Sequence, residues 1–287
     1  MLAHFFLKVK SLRNIPSLIN YLLNKDNCIA TLYYSEIANV GDALNVELVS
    51  FLSGKKVIKP FACRYLKHLL AVGSVLQVMN KNSIVWGSGL ISDDCINQVT
   101  ECGTILAVRG FLTKNKLEKH FNIILDVPLG DPALLMPLIY PASEVKKYKF
   151  GFVPHYVDAH HPICDVVKRM GGVILDVAWM PEKFIAELTS CEKVISSAMH
   201  GLILSDAYGV PNKRVKLSDN IYGGEFKFQD YYSTTDSIDE RAFLVDYSAA
   251  EDEVHQILSL AKAKNIQVDL VKLRSSLEEY LNKNRSF

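Results

Sequence analysis

Short apolar runs alternate with amphipathic stretches along most of this chain. The apolar runs, bounded by turn residues, predict strands at Cys28–Tyr34, Ala71–Val72, Ile84–Trp86, Ile105–Val108, Lys149–Val153, Gly172–Leu175, Lys193–Ile195 and Asn212–Lys216. Apolar positions spaced by three and four residues predict helices at Asp42–Leu52, Gly110–His120, His161–Met170, Pro181–Ser190 and Gly201–Ala207. A repeated order of strand and helix is typical of parallel sheets with crossover helices, so the pattern predicts an α/β fold.

The alternation stops at Pro137–Pro141, and the polar run 142–147 follows. Breaks of this composition commonly separate domains. We therefore expect an N-terminal α/β domain over residues 1–141 and a second α/β domain over residues 142–248. The C-terminal segment 249–287 carries two apolar stripes at helical spacing, so we expect helices there that pack back on the domains.

The first 25 residues have a pattern of their own. Basic residues occur without any acid before Asp26, and apolar residues recur at helical spacing. A basic amphipathic helix can lie on an anionic membrane surface. It can equally pack on the protein's own sheet, and residues 1–25 alone leave both interpretations open.

Composition narrows the function classes. The chain has 287 residues, 49% hydrophobic and 22% charged, which is enough for one large core or two moderate ones. A net charge of +1 and the lack of a basic, aromatic-interleaved stripe argue against nucleic acid as a partner. The six cysteines form no C-x-x-C pair, no secretory signal is evident, and no apolar run reaches the ~18 residues of a membrane span. These features predict a cytoplasmic protein.

The segment Ser196–Gly201 carries the most informative chemistry. It places His200 between the predicted strand Lys193–Ile195 and the predicted helix Gly201–Ala207. Such a junction directs backbone N–H groups and the positive end of a helix at whatever lies above it, which favours an anion. An imidazole there can also move a proton near neutral pH. From these residues alone, a histidine that only caps its own helix is the alternative.

Five polar residues, His200 among them, fall just after predicted strands. They are Asp42, Ser88, Arg109, His155 and His200. Ligands of open α/β sheets bind beyond the carboxyl ends of the strands. We therefore expect these side chains to converge on one cleft.

Three other site types find little support in the sequence. Gly87-Ser88-Gly89 begins like a dinucleotide-binding fingerprint but lacks the third glycine, and Arg109 stands where an acidic ribose contact is expected. The histidines around Asp158 lack H-E-x-x-H or Cys/His spacing, so we expect no metal. No G-x-S-x-G elbow of a serine hydrolase occurs.

Several stretches, in order and spacing, resemble the signature of the polysaccharide pyruvyl transferase family. The matching stretches are Asn39-Val40-Gly41-Asp42, Val85-Trp86-Gly87-Ser88-Gly89, Val108-Arg109-Gly110, Gly130-Asp131-Pro132-Ala133, Ala198-Met199-His200-Gly201 and Phe226-Lys227-Phe228-Gln229-Asp230-Tyr231. The resemblance runs from about Tyr34 to Tyr232. One position departs from it, because many members carry Arg where this chain has Ala198.

The resemblance implies a fold, a reaction and a setting. The fold would be two Rossmann-like domains that face a cleft, as in glycosyltransferase-B enzymes. The reaction would move a pyruvyl group from phosphoenolpyruvate, the donor substrate, to a sugar of a surface polysaccharide or its lipid-linked precursor, forming a pyruvate ketal without a cofactor. A lipid-linked acceptor would favour peripheral contact of residues 1–25 with the inner face of the membrane.

Roles for individual residues follow from that reaction. His200 would act as an acid toward C3 of the donor or donate a hydrogen bond to the leaving phosphate, and Arg109 would bind a carboxylate or phosphate with its planar fork. Asp42 would act as base on the acceptor hydroxyl or cap its helix. Lys227 would replace the charge that Ala198 lacks, whereas Asp131 is interpreted as a turn residue. The remaining expected substrate-binding residues are Asn39, Gly41, Ser88, His155, Ser197, Met199 and Gly201.

Two alternatives remain beside pyruvyl transfer. The same architecture can serve a glycosyltransferase that uses a nucleotide-sugar donor. It can also serve a catalytically silent carbohydrate-binding scaffold. Which sugar and which hydroxyls would be modified is not encoded in any motif.

Overall fold

The computed structural model describes residues 19, 21, 23–59, 63–248 and 250–284. Its first set of strands is parallel and comprises β1 (Cys28–Ala30), β2 (Lys56–Ile58), β3 (His68–Leu70), β4 (Ser83–Trp86) and β5 (Thr104–Ala107). β1 pairs with β2, and β4 lies between β3 and β5. A parallel bridge between Thr31 and Leu69 joins the two ladders, so they form one continuous sheet.

The second sheet is also parallel and has five strands. They are β6 (Gly151–Val153), β7 (Val173–Ile174), β8 (Val194–Ser196), β9 (Asn212–Lys216) and β10 (Phe243–Leu244). Their order across the sheet is β10-β9-β8-β6-β7. The predicted α/β class with parallel sheets is confirmed.

Eight α-helices occur within the described ranges. They are α1 (Val40–Ser53), α2 (Phe111–Phe121), α3 (Ile163–Arg169), α4 (Pro181–Thr189), α5 (Met199–Ala207), α6 (Phe226–Tyr232), α7 (Glu251–Ser259) and α8 (Leu270–Lys283). The five helices predicted before residue 249 agree with α1 to α5 within two residues at each end. Short 3-10 turns include Leu76–Val78, Pro132–Leu138 and Tyr156–Asp158.

The prediction of a strand at Ala71–Val72 is wrong, because β3 ends at Leu70. The Asn45 side chain of α1 takes the place of a neighbouring strand there. Its Oδ1 accepts a hydrogen bond from Val72 N at 3.0 Å, and its Nδ2 donates to Val72 O at 3.0 Å. A buried side-chain amide therefore satisfies the backbone that a ladder would otherwise satisfy.

The elements missed from the sequence are all short. β2, β10 and α6 have three, two and seven residues, which is too little for a periodic pattern to emerge. The C-terminal helical stretch is divided into α7 and α8. The segment between them makes antiparallel bridges from Lys262 to Asn212 and from Ile266 to Thr235.

The C-terminal helix α8 packs back on the first sheet, as expected. Trp86 Nε1 in β4 donates a hydrogen bond to Leu273 O at 2.8 Å, and Leu273 and Leu277 are fully buried. One hydrophobic cluster includes Leu69 and Trp86 of the first sheet together with Val153 and Val194 of the second. The two sheets therefore share a core, and a domain division near residue 141 stays a prediction.

Candidate functional site

Polar residues from both sheets line one cavity of about 440 Å³. It lies where α1 and α5 begin, beside the turns that follow β3 and β6. A hydrogen bond of 2.6 Å from Val40 N to Val177 O ties its two sides together. The predicted site residues that line this cavity are Asn39, Asp42, His155, Met199, His200 and Lys227. Below we call this cavity the cleft.

His200 is the second residue of α5, which Ser197 and Ala198 connect to β8. Within the described part of the chain, no side chain caps the start of this helix, because Ala198 occupies the cap position. The first amide N–H groups of α5 are therefore left for a bound group. The His200 side chain is 14% exposed, and its ring lies among the cleft residues.

The stretch Asn39–Asp42 forms the start of α1, which lies against His200. A Cβ atom added to Gly41 would fall 1.9 Å from His200 Nδ1, so the glycine lets α1 approach the imidazole ring closely. Asn39 begins α1, with its Oδ1 accepting a hydrogen bond from Gly41 N at 3.0 Å. Asn39 is therefore the N-cap, and the alternative that Asp42 caps the helix is wrong.

Asp42 lies in the first turn of α1 and lines the cleft. Burial raises the pKa of its carboxyl to about 7, although a hydrogen bond from Tyr34 N and the charge of Lys59 act in the opposite direction. The Tyr34 N–H lies 3.2 Å from Asp42 Oδ1. A carboxyl group with a pKa near 7 is well suited to accept a proton at neutral pH.

Burial and nearby positive charges keep the His200 ring neutral. Burial, together with the smaller effects of the positive charges of Arg109 and Lys227, lowers the pKa of His200 to about 3. Lys227 lies on α6, is 8% exposed, and donates a hydrogen bond to Tyr222 O at 3.0 Å. Burial also lowers the pKa of Lys227, to about 8, and that of His155, to about 4. The cleft therefore combines one cationic ammonium group with neutral imidazoles.

Arg109 lies behind the cleft wall and is fully buried. Its Nε donates to Asp230 Oδ2 at 2.9 Å, its Nη2 donates to Leu90 O at 2.7 Å, and its Nη1 donates to Ser74 Oγ. Ser74 itself lines the cleft. The observed contacts thus support the cleft wall, and a direct contact between Arg109 and the donor stays a prediction.

Three further predicted residues also lie behind the wall. Ser88 Oγ donates to Gly73 O at 3.0 Å and accepts from Val75 N at 3.3 Å, which fixes the turn after β3. Ser197 Oγ accepts a hydrogen bond from His155 N at 2.9 Å. A Cβ atom on Gly201 would fall 2.4 Å from Ser196 Oγ, so this glycine lets α5 pack against β8. These residues shape the cleft, and a direct role in substrate binding stays a prediction for each.

Sequence reasoning missed several residues of the site. Tyr34, Gln77, Tyr156 and Tyr222 line the cleft, and isolated tyrosines or glutamines have no motif that marks them. Asp131 was interpreted as a turn residue, and its Oδ1 does accept a hydrogen bond from Ala133 N at 3.0 Å. Its other oxygen lies 4.0 Å from His200 Nε2. The only signal for that contact was membership of the Gly130–Ala133 stretch.

Comparison of the amino-acid sequence with known protein families identifies the enzyme family to which this chain belongs. The profile of the polysaccharide pyruvyl transferase family matches residues 39–212, more than half of the chain. The chain therefore belongs to that family, whose enzymes carry out pyruvyl transfer to polysaccharides.

Two relatives show how far the similarity extends. The uncharacterized protein L143 of Acanthamoeba polyphaga mimivirus is 25% identical over 264 residues, which cover 88% of this chain and 90% of that protein. The succinoglycan biosynthesis protein ExoV of Rhizobium meliloti (strain 1021) is 30% identical over 216 residues. That alignment covers 70% of this chain and 64% of ExoV.

Proposed function

We propose that this enzyme transfers the pyruvyl group of phosphoenolpyruvate to two hydroxyls of a hexose in a surface polysaccharide or its lipid-linked precursor. The observation that carries the proposal is the joint lining of one cleft by Asp42, His200 and Lys227. A base, an imidazole and a cation are the three groups that ketal formation from an anionic enol phosphate requires. The similarity to a succinoglycan biosynthesis protein supports an exopolysaccharide acceptor.

The donor end of the cleft is the α5 side. Phosphoenolpyruvate carries a phosphate and a carboxylate, so its site needs cations and N–H donors. The Lys227 ammonium supplies a positive charge, and the uncapped start of α5 supplies amide N–H groups at the positive end of a helix. Lys227 thereby takes over the charge that family members with Arg at the position of Ala198 carry on the strand-to-helix turn.

The acceptor end of the cleft is the α1 side. Asp42 lies there with Tyr34, which is 42% exposed. Tyr156 is 36% exposed and offers a second aromatic face. Gln77 Oε1 is buried and lacks a hydrogen-bond partner among the described residues. Aromatic faces and free polar atoms together match the apolar faces and hydroxyls of a sugar ring.

The chemistry distributes the protons as follows. Asp42 accepts the proton of the first sugar hydroxyl while the oxygen of that hydroxyl bonds to C2 of the donor. The bound donor anion raises the pKa of His200, because negative charge favours the imidazolium, and His200 protonates C3. The second hydroxyl then bonds to C2 as the C2–O bond to phosphate breaks. Over one cycle the two hydroxyls lose two protons. One of them is accounted for by the new C3–H bond, and the other leaves with the released phosphate.

The glycosyltransferase-B arrangement belongs to this proposal. Two parallel sheets and a cleft beyond the ends of several strands support it. In that arrangement the first sheet would present the acceptor and the second sheet the donor.

The direct test measures phosphate release from phosphoenolpyruvate with a panel of 4-nitrophenyl hexosides. We expect hexoside-dependent release and a pyruvylated product whose mass increases accordingly. His200→Ala should lower turnover about 10²–10⁴-fold, since it removes the proton donor. His255→Ala is the matched control, because His255 is exposed on α7, and it should be as active as the wild type. Transfer of a hexose from a nucleotide sugar instead of pyruvate would contradict the proposal.

A further inference from the structure

Two buried polar atoms face each other behind the cleft without hydrogen bonds. His200 Nε2 and Asp131 Oδ2 lie 4.0 Å apart, and neither has a hydrogen-bond partner among the described residues. The Asp131 side chain is fully buried. Buried polar atoms are nearly always paired, because an unpaired one costs free energy. The facing of these two atoms therefore needs an explanation.

The surrounding structure holds both side chains in place. Asp131 caps the Pro132–Leu138 turn through its Oδ1, which leaves Oδ2 directed at His200. That turn packs against α5, the helix that carries His200. A Cβ atom on Gly41 would fall 1.9 Å from Nδ1, 2.4 Å from Cε1 and 2.5 Å from Cγ, so Gly41 packs over the face of the ring near Nδ1. The imidazole is thus held between a backbone and a carboxylate, and a movement of about 1 Å would close the hydrogen bond.

Charge decides which form of the pair exists. The pKa of Asp131 is raised to about 6, chiefly by burial and also by Asp230, although the hydrogen bond from Ala133 and the charge of Arg109 act in the opposite direction. His200 faces the positive charges of Arg109 and Lys227, which together with burial favour its neutral form. Near pH 7 a carboxylate therefore faces a neutral imidazole. A carboxylate opposite Nε2 favours the tautomer in which the imidazole carries its N–H proton on Nε2.

We propose that Asp131 is a positioning residue that holds His200 in the Nε2–H tautomer and stabilises the imidazolium that forms when Nδ1 takes up a proton. The tautomer follows from the contact alone, whereas the benefit to turnover rests on the proposed function. In the imidazolium, Nε2–H donates to Asp131 and Nδ1–H is the proton passed to the substrate. No proton is transferred to Asp131 itself.

The experiment reads the tautomer without any substrate. In protein labelled with ¹⁵N-histidine, the His200 signals are assigned by their loss in His200→Ala. At pH 7.5 we expect the wild type to show a protonated Nε2 and an unprotonated Nδ1. In Asp131→Asn, the amide can still accept from Ala133 N while its NH₂ group faces Nε2. We expect the proton to move to Nδ1 in that variant.

Activity provides the second measurement. We expect kcat of Asp131→Asn to fall by about 10² or more with little change in KM for phosphoenolpyruvate. Without the carboxylate, Nε2 stays unprotonated and the imidazolium does not form, and the Nδ1–H of a neutral imidazole is too weak an acid to protonate C3. Asp126→Asn, an exposed aspartate in the same loop, is the matched control and should change neither the tautomer nor kcat.

Each outcome decides the proposal. An unchanged His200 tautomer in folded Asp131→Asn would overturn it. If Asp131→Asn does not fold, the wild-type spectrum decides, since a proton on Nδ1 alone at pH 7.5 would also overturn it. A wild type with the expected tautomer but no pyruvyl transfer would leave the positioning role standing and reject the proposed function.

Discussion

At the scale of residues, burial sets the chemistry of the cleft. The same loss of water raises the pKa of Asp42 to about 7 and lowers that of His200 to about 3. At neutral pH the carboxyl is therefore partly protonated and the imidazole is uncharged before any ligand binds. Lys227, with its pKa lowered to about 8, keeps a positive charge beside them at neutral pH.

Asp42 yields a prediction about pH. If its carboxylate is the base, kcat/KM should fall as the pH drops below about 7, because the protonated form cannot accept a proton. Asp42→Asn should lower kcat about 10²–10⁴-fold and remove this limb of the pH profile. Asp176→Asn, an exposed aspartate after β7, serves as control and should retain the profile. A profile that is flat from pH 5 to 8 in the wild type would rule out Asp42 as the base.

At the scale of elements, α6 holds the two halves of the site together. Asp230 on α6 forms an ion pair with Arg109, which follows β5. Oδ1 of Asp230 also accepts a hydrogen bond from Thr113 N of α2 at 2.7 Å. The next residue, Tyr231, donates to Asp206 Oδ2 of α5 at 2.8 Å. Lys227 lies one turn earlier on the same helix. Helix α6 thus fixes the cation of the cleft relative to both sheets.

This connection predicts a large loss of stability. Asp230→Ala should lower the free energy of unfolding by roughly 3–5 kcal/mol, because it leaves the buried Arg109 guanidinium without its counter-charge. Glu278→Ala breaks an exposed pair with Arg274 on α8 and should cost at most about 1 kcal/mol. Urea unfolding of both variants checks the contrast. Equal small losses would show that the buried pair contributes no more than a surface pair.

At the scale of the whole molecule, two parallel sheets share one core, and the cleft opens beyond their strand ends. No helix within the described ranges is long and apolar enough to cross a membrane. Most of the basic amphipathic segment 1–25 lies outside the described residues. Its contact with a membrane, and the cytoplasmic location, therefore remain part of the proposal of a lipid-linked acceptor.

Membrane contact can be tested on the full chain. Replacing Lys8, Lys10 and Arg13 with Gln should release the protein from anionic phosphatidylserine vesicles, since each basic residue contributes about 1 kcal/mol near such a surface. Activity on a soluble hexoside should remain unchanged. Sedimentation with vesicles at low salt gives the measurement, and neutral phosphatidylcholine vesicles provide the control. If the wild type does not sediment with anionic vesicles, the proposed membrane contact is wrong.

Local sequence patterns alone determined the fold class, five of the helices and several residues of the cleft. Apolar spacing predicted α1 to α5 and the parallel α/β class, because helix and strand periods are written in neighbouring residues. The stretches that resemble the family marked His200, Asp42 and Lys227, which all line the cleft.

Only the tertiary structure decided how these residues are surrounded. Arg109 and Asp230 pair across 121 positions of sequence, and nothing in either neighbourhood shows that the guanidinium is fully buried. Three further features of the site also became visible only in the folded structure. They are the helix cap at Asn39, the contact of Gly41 with His200, and the pair of facing side chains Asp131 and His200. Such contacts depend on how distant segments pack, and packing also sets the burial that shifts each pKa, so a local pattern cannot encode them.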